Sequence, residues 1–162
     1  SQFETFYLQT LLQPLCTILK KELLDIPFFG WGLAKLEPIG IDRSSPKRAL
    51  KDIQRIGLER LHCCRNILVF PEGTRIPYGE KGKYARSGAN LAITADVPVL
   101  PIAHNAGKLW PADQFLKTPG VVTFSIGPPI AVDGKSSKHL TAEVEAWIEA
   151  EMQRLDPQAY SL

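Results

Sequence analysis

Glu72, Thr74 and Arg75, in the run Pro71-Glu72-Gly73-Thr74-Arg75, put a carboxylate, a hydroxyl and a guanidinium side by side, directly after the apolar Ile67-Leu68-Val69-Phe70. Pro71 has no N–H and stops a strand ladder. Gly73 lets the backbone turn and show its amides with no Cβ in the way. Ligands of open α/β sheets usually bind at such strand ends, and Arg75 is able to grip a phosphate through two parallel hydrogen bonds. A second guanidinium, Arg43, closes Ile39-Gly40-Ile41-Asp42-Arg43. Two arginines and an amide-rich glycine turn at neighbouring strand ends would form a phosphate pocket. Taken singly, each also reads as a surface turn with an incidental arginine. A carboxylate repels phosphate, so Glu72 is expected to accept from a substrate hydroxyl or to hold an arginine.

Further candidates are fewer. Arg86 precedes a helix N-terminus and is able to help hold an anion, with a solvated side chain as the alternative. Of the three histidines, His104 alone sits at an expected strand end; His62 and His139 read as exposed or structural. Cys16, Cys63 and Cys64 contain no C-x-x-C, so neither a disulfide framework nor a thiolate zinc site is indicated. No other metal-ligand cluster is visible. Gly30-x-Gly32 meets Lys35 where a dinucleotide fingerprint needs its third glycine. Gly79 to Lys83 lacks Walker spacing and reads as a mobile loop.

Positioning these groups requires alternating strands and helices. Cys16–Leu19, Pro38–Ile41, Asn66–Phe70, Val97–Ile102 and Val121–Ile126 read as strands, several of them apolar throughout, as strands covered on both faces are. Ser45-Pro46 opens a helix with Leu50, Ile53, Gly57 and Leu61 on one face. Ser87–Ala95 reads as a short apolar helix. The last helix sets Leu140, Val144, Trp147, Ile148, Met152 and Leu155 as a core stripe opposite Glu143, Glu145, Glu149 and Glu151. The expectation is one α/β domain over residues 1–162, with a mainly parallel sheet flanked by helices.

The 162 residues are 44% hydrophobic and 22% charged, which excludes disordered and fibrous classes. A net charge of +2 gives no general case for nucleic acid. Its distribution matters more: Asp42 to Arg86 holds eleven basic and five acidic residues, a stretch able to attract an anion. No apolar run approaches the roughly 18 to 20 residues that cross a bilayer. Phe28, Phe29, Trp31 and Leu33 beside Lys20, Lys21 and Lys35 suit an anionic membrane surface, with core packing as the alternative.

Phe70-Pro71-Glu72-Gly73-Thr74-Arg75 resembles the third signature block of the glycerolipid acyltransferases, the lysophosphatidic acid acyltransferase group. Ile41-Asp42-Arg43 is similar to the second block and Val97-Pro98-Val99-Leu100-Pro101-Ile102 to the fourth. Lys20-Lys21-Glu22-Leu23-Leu24 with Ile26-Pro27-Phe28-Phe29-Gly30 resembles the stretch before the second block in bacterial members. The first block, a histidine, four intervening residues and then an acidic one, is matched only by Glu4; its histidine would fall two residues before Ser1. The resemblance implies that this histidine is the general base and Glu4 the group that orients it. It implies that Arg43, Glu72, Gly73 and Arg75, with Thr74 in the same turn, bind the glycerol phosphate of the acceptor. His104 and Arg86 are possible additional contacts.

The implied reaction moves a fatty acyl group from acyl-CoA or acyl carrier protein to the sn-2 hydroxyl of lysophosphatidic acid, with no metal or held cofactor. The implied place is the cytoplasmic face of the inner membrane, the chain being peripheral or anchored through an absent N-terminal part. The chain as given is expected to be an N-terminally truncated fragment, nearly inactive by itself. Alternatives are another acceptor, such as a lyso-ornithine lipid, or a non-catalytic module that binds a lipid phosphate.

Overall fold

The structure, a computed structural model, describes residues 3–42, 44–112 and 114–160. The chain forms two compact units, Tyr7–Phe70 and Ser1–Phe6 with Pro71–Leu162. Helix α1 (Phe3–Leu11) contributes residues to both.

The unit Tyr7–Phe70 is a three-stranded parallel sheet of β1 (Leu15–Lys20), β2 (Ile39–Ile41) and β3 (Asn66–Leu68), with β1 in the middle. The first half of β1 pairs with β3, Leu15 opposite Asn66, and the second half pairs with β2, Ile18 opposite Ile39. Parallel neighbours need a crossover, and α3 (Pro46–His62) supplies it between the two outer strands, packing on both. Leu15, Cys16 and Ile39 are buried between the layers. The buried side of α3 carries Ala49, Ile53 and Gly57. Leu50, expected on that face, is 51% exposed, because the run spaced by four begins one residue earlier, at Ala49. Between β1 and β2, a 3-10 helix (Lys21–Asp25) packs on α2 (Phe29–Ala34). A Cβ on Gly30 would lie 2.1 Å from the carbonyl oxygen of Leu24, so only glycine allows that approach.

The other unit holds α4 (Ser87–Ala95), β4 (Ile102–His104), α5 (Ala106–Leu109), β5 (Phe124–Ile126) and α6 (Ser137–Leu155). β4 and β5 are antiparallel, His104 opposite Phe124. The expected strand Val97–Ile102 is mostly absent: Val99 makes an isolated bridge to Ile130 and β4 starts only at Ile102. Pro98 and Pro101 have no N–H to donate, which breaks the ladder twice. Ala89, Ala92, Ile130, Val132 and Leu140 form the core, joined by Ile93, Val97, Val99 and Val144. The first part of the α6 stripe thus packs inward as expected. Its opposite face is not simply solvated, since Glu143, Glu145, Glu149 and Glu151 are each half-buried and bonded. Among the described residues, no helix is long and apolar enough to cross a membrane.

Candidate active site

Gly73 sits at φ +66 with open space where a Cβ would point, so the turn after Phe70 faces outward as its sequence predicts. Gly73, Thr74 and Arg75 are exposed, and Arg75 makes no ion pair or hydrogen bond among the described residues. A guanidinium left free at a turn is available to an anionic ligand.

Glu72 turns the other way. Its Oε1 accepts the Gly82 N–H at 3.1 Å, and a Cβ on Gly82 would lie 2.6 Å from that oxygen. Partial burial pushes its carboxyl above the usual range, the Gly82 hydrogen bond opposes that, and the Glu149 charge adds to it. In this structure Glu72 holds backbone rather than an arginine.

The segment expected as a mobile loop is fastened along its length. Glu72 takes Gly82, Lys81 pairs with Glu145 at 3.1 Å, and the buried Tyr84 donates its hydroxyl to Glu149 Oε1 at 3.1 Å. The Tyr84 phenol is pushed well above its ordinary range by burial and by the Glu149 charge. Ala85 N–H returns to the Pro71 carbonyl at 2.7 Å, closing the loop on the turn. Lys83 and Arg86 stay exposed on this scaffold, and Arg86 is the N-cap residue of α4. Nothing in the sequence pairs Tyr84 with Glu149, since the two are 65 residues apart.

Glu4, on α1, is only 4% exposed. It lies close enough to His104, at the end of β4, for its charge to favour the protonated imidazole. Burial acts more strongly in the opposite sense, so the His104 pKa is lowered. The Nδ1 of His104 is buried, with no hydrogen-bond partner among the described residues. Its ring lies 5.3 Å from that of Phe124, which is 6.4 Å from Phe3, itself 6.0 Å from Trp110. A chain of aromatic rings, Trp110, Phe3 and Phe124, therefore leads up to His104.

One unit thus carries Glu4, Glu72, Gly73, Thr74, Arg75, Arg86 and His104. Arg43 lies outside the described residues. In the other unit Phe28 is 80% and Trp31 63% exposed, their rings stacked edge to face at 5.0 Å, and Phe29 is exposed too. These aromatics are surface rather than core. Among the described residues, no group of three or more His, Cys, Asp or Glu side chains is placed to hold a metal ion.

The family model described as Acyltransferase matches residues 2–105. The 1-acyl-sn-glycerol-3-phosphate acyltransferase of Pseudomonas aeruginosa is 48% identical over 160 residues, which is 97% of this chain and 62% of that protein. The enzyme of the same name from Cocos nucifera is 26% identical over 80% of this chain and 42% of its own length. Among solved structures, the 1-acyl-sn-glycerophosphate (LPA) acyltransferase PlsC from Thermotoga maritima superposes with a TM-score of 0.76 at 30% identity. That match covers 90% of this chain and 58% of the other. This chain accordingly spans about three fifths of the Pseudomonas relative's length. The α/β class, with its parallel sheet flanked by helices, agrees with that structural match, and the chain belongs to the Acyltransferase family.

Proposed function

We propose that the protein containing this chain transfers a fatty acyl group from acyl-CoA or acyl carrier protein to the sn-2 hydroxyl of lysophosphatidic acid, forming phosphatidic acid. The free Arg75 beside the outward Gly73 turn, in the unit that also buries Glu4, carries this reading. A histidine five positions before Glu4, supplied by sequence outside these 162 residues, acts as the base. It takes the proton of the acceptor hydroxyl as that oxygen attacks the thioester carbonyl. The tetrahedral intermediate then collapses, the C–S bond breaks, and the imidazolium returns the proton to the leaving thiolate. Glu4 fixes the tautomer of the imidazole and stabilises its cation.

Arg75 holds the acceptor's phosphate, with Thr74 and the amides around Gly73 alongside. Glu72 serves the same turn indirectly, through Gly82. Arg86 is a further anion contact. No metal or held cofactor takes part. The work is done at the cytoplasmic face of the inner membrane, where the exposed Phe28, Phe29 and Trp31 with Lys20, Lys21 and Lys35 meet lipid.

Arg75→Ala tests the acceptor. Loss of a charge-assisted, two-pronged contact is expected to raise the lysophosphatidate KM about tenfold or more. An unchanged KM would point to an acceptor without a phosphate, such as a lyso-ornithine lipid. Acyl transfer by the 162 residues alone, at the rate of a longer form carrying the histidine, would refute the assigned base, since general-base help is worth about 10² to 10⁴ in rate.

A further inference from the structure

The connection between α5 and β5 is closed at its root and apolar at its tip. Thr118 N–H donates to the Leu109 carbonyl at 2.9 Å, Asn105 Nδ2 to the Val121 carbonyl at 3.2 Å, and Thr123 N–H to Asn105 Oδ1 at 2.8 Å. Inside the loop, Lys117 Nζ donates to the carbonyls of Pro111, at 3.0 Å, and Gln114, and lies 5.4 Å from the Trp110 ring centre. At the tip, Phe115 is 96% and Leu116 80% exposed.

Single exposed apolar residues need no explanation. An adjacent pair on a self-tied loop, with nearby carbonyls turned inward onto a lysine, is a different case. Peptide carbonyls enter an apolar medium at great cost unless they are hydrogen-bonded, and here Pro111 and Gln114 are. The loop's root reaches the candidate site through the ring chain Trp110, Phe3, Phe124 and His104. From Arg75 to Lys117 the sequence holds six basic and three acidic residues. Arg75, Lys83 and Arg86 are exposed without ion pairs among the described residues, which suits an anionic surface.

We propose that the Phe115–Leu116 tip is a wedge that enters an anionic phospholipid bilayer at the boundary of headgroups and acyl chains. The wedge brings the lipid surface to the residues beside Glu4. That second statement rests on the acyltransfer reading, whereas insertion of the tip does not.

The test uses the full protein with Cys63→Ser and Cys64→Ser, leaving the buried Cys16, and an environment-sensitive fluorophore on Phe115→Cys or, as a control, on Lys138→Cys. Vesicles of phosphatidylethanolamine and phosphatidylglycerol are added, with and without spin-labelled acyl chains. The tip label is expected to shift to the blue and to be quenched by the spin labels, the control label to do neither, and Leu116→Asp to abolish the tip response. A tip label that stays water-like would overturn the proposal. So would equal quenching at both positions, or a concentration-dependent blue shift before vesicles are added, which would mean that a second copy covers the tip. A quenched tip on a protein without acyltransferase activity leaves the wedge standing and removes the acyltransfer reading.

Discussion

Glu72 Oε1 accepts the Gly82 N–H at 3.1 Å, tying the turn that presents Arg75 to a loop ten residues further on. The same loop is held from the far side by α6, through Lys81 to Glu145 and Tyr84 to Glu149. The cations Lys83 and Arg86 therefore stand on a braced segment next to the turn. Bracing of this kind lowers the ordering cost when an anion binds.

Glu72→Ala and Glu72→Gln separate the bond from the charge. Alanine leaves the Gly82 N–H unpaired and is expected to cost about 1 to 2 kcal/mol in urea unfolding. Glutamine keeps an acceptor for that N–H and, being neutral, is expected to match the parent at low pH, where Glu72 is protonated. The raised Glu72 pKa means that the folded state holds its proton more tightly than the unfolded chain does. Stability should fall as pH rises from about 4.5, the unfolded value, through the raised folded value, and Glu72→Gln should remove that component of the slope. An unchanged slope would show that the carboxylate is well solvated.

For His104 the sign is reversed. Burial lowers its folded pKa, so the unfolded chain binds the proton first and stability declines as pH drops below about 6.5. Thermal unfolding at pH 5 and pH 7.5 should show this loss in the parent and a smaller one in His104→Gln. Equal losses in both proteins would mean that the imidazole has access to water in the folded state.

Gly30→Ala places a Cβ 2.1 Å from the Leu24 carbonyl oxygen, a backbone atom with little room to give. The expected cost is about 3 kcal/mol or more, at the upper end for overpacking, read as a drop in Tm. Gly32→Ala, where nothing lies within 4 Å, is the matched control and should be neutral or slightly stabilising.

Tyr84→Phe deletes only the hydroxyl that Glu149 accepts at 3.1 Å. We expect a loss of about 1 kcal/mol, and a double cycle with Glu149→Gln should give a coupling of the same order. Additive effects would show that the bond contributes nothing in solution.

Local chemistry by itself determined much of this protein. Pro71 and Gly73 fix an outward turn after an apolar strand, Ser87–Ala95 is a helix with the bounds its pattern implies, and the strand and helix alternation gives a parallel sheet. These features depend on residues near one another in sequence, where a missing N–H or Cβ has the same effect in any fold. Tertiary structure decided the rest. Whether Glu72 faces a ligand or Gly82, whether residues 79–85 float or are pinned by Tyr84 and Glu149, and whether Phe28 and Trp31 are core or surface all depend on which chain segment arrives alongside. The same holds for His104, whose burial beside Phe124 follows from an antiparallel pairing with a residue twenty positions further along the chain. A side chain's partners and its hydration are properties of packing, and no spacing rule along the chain encodes them.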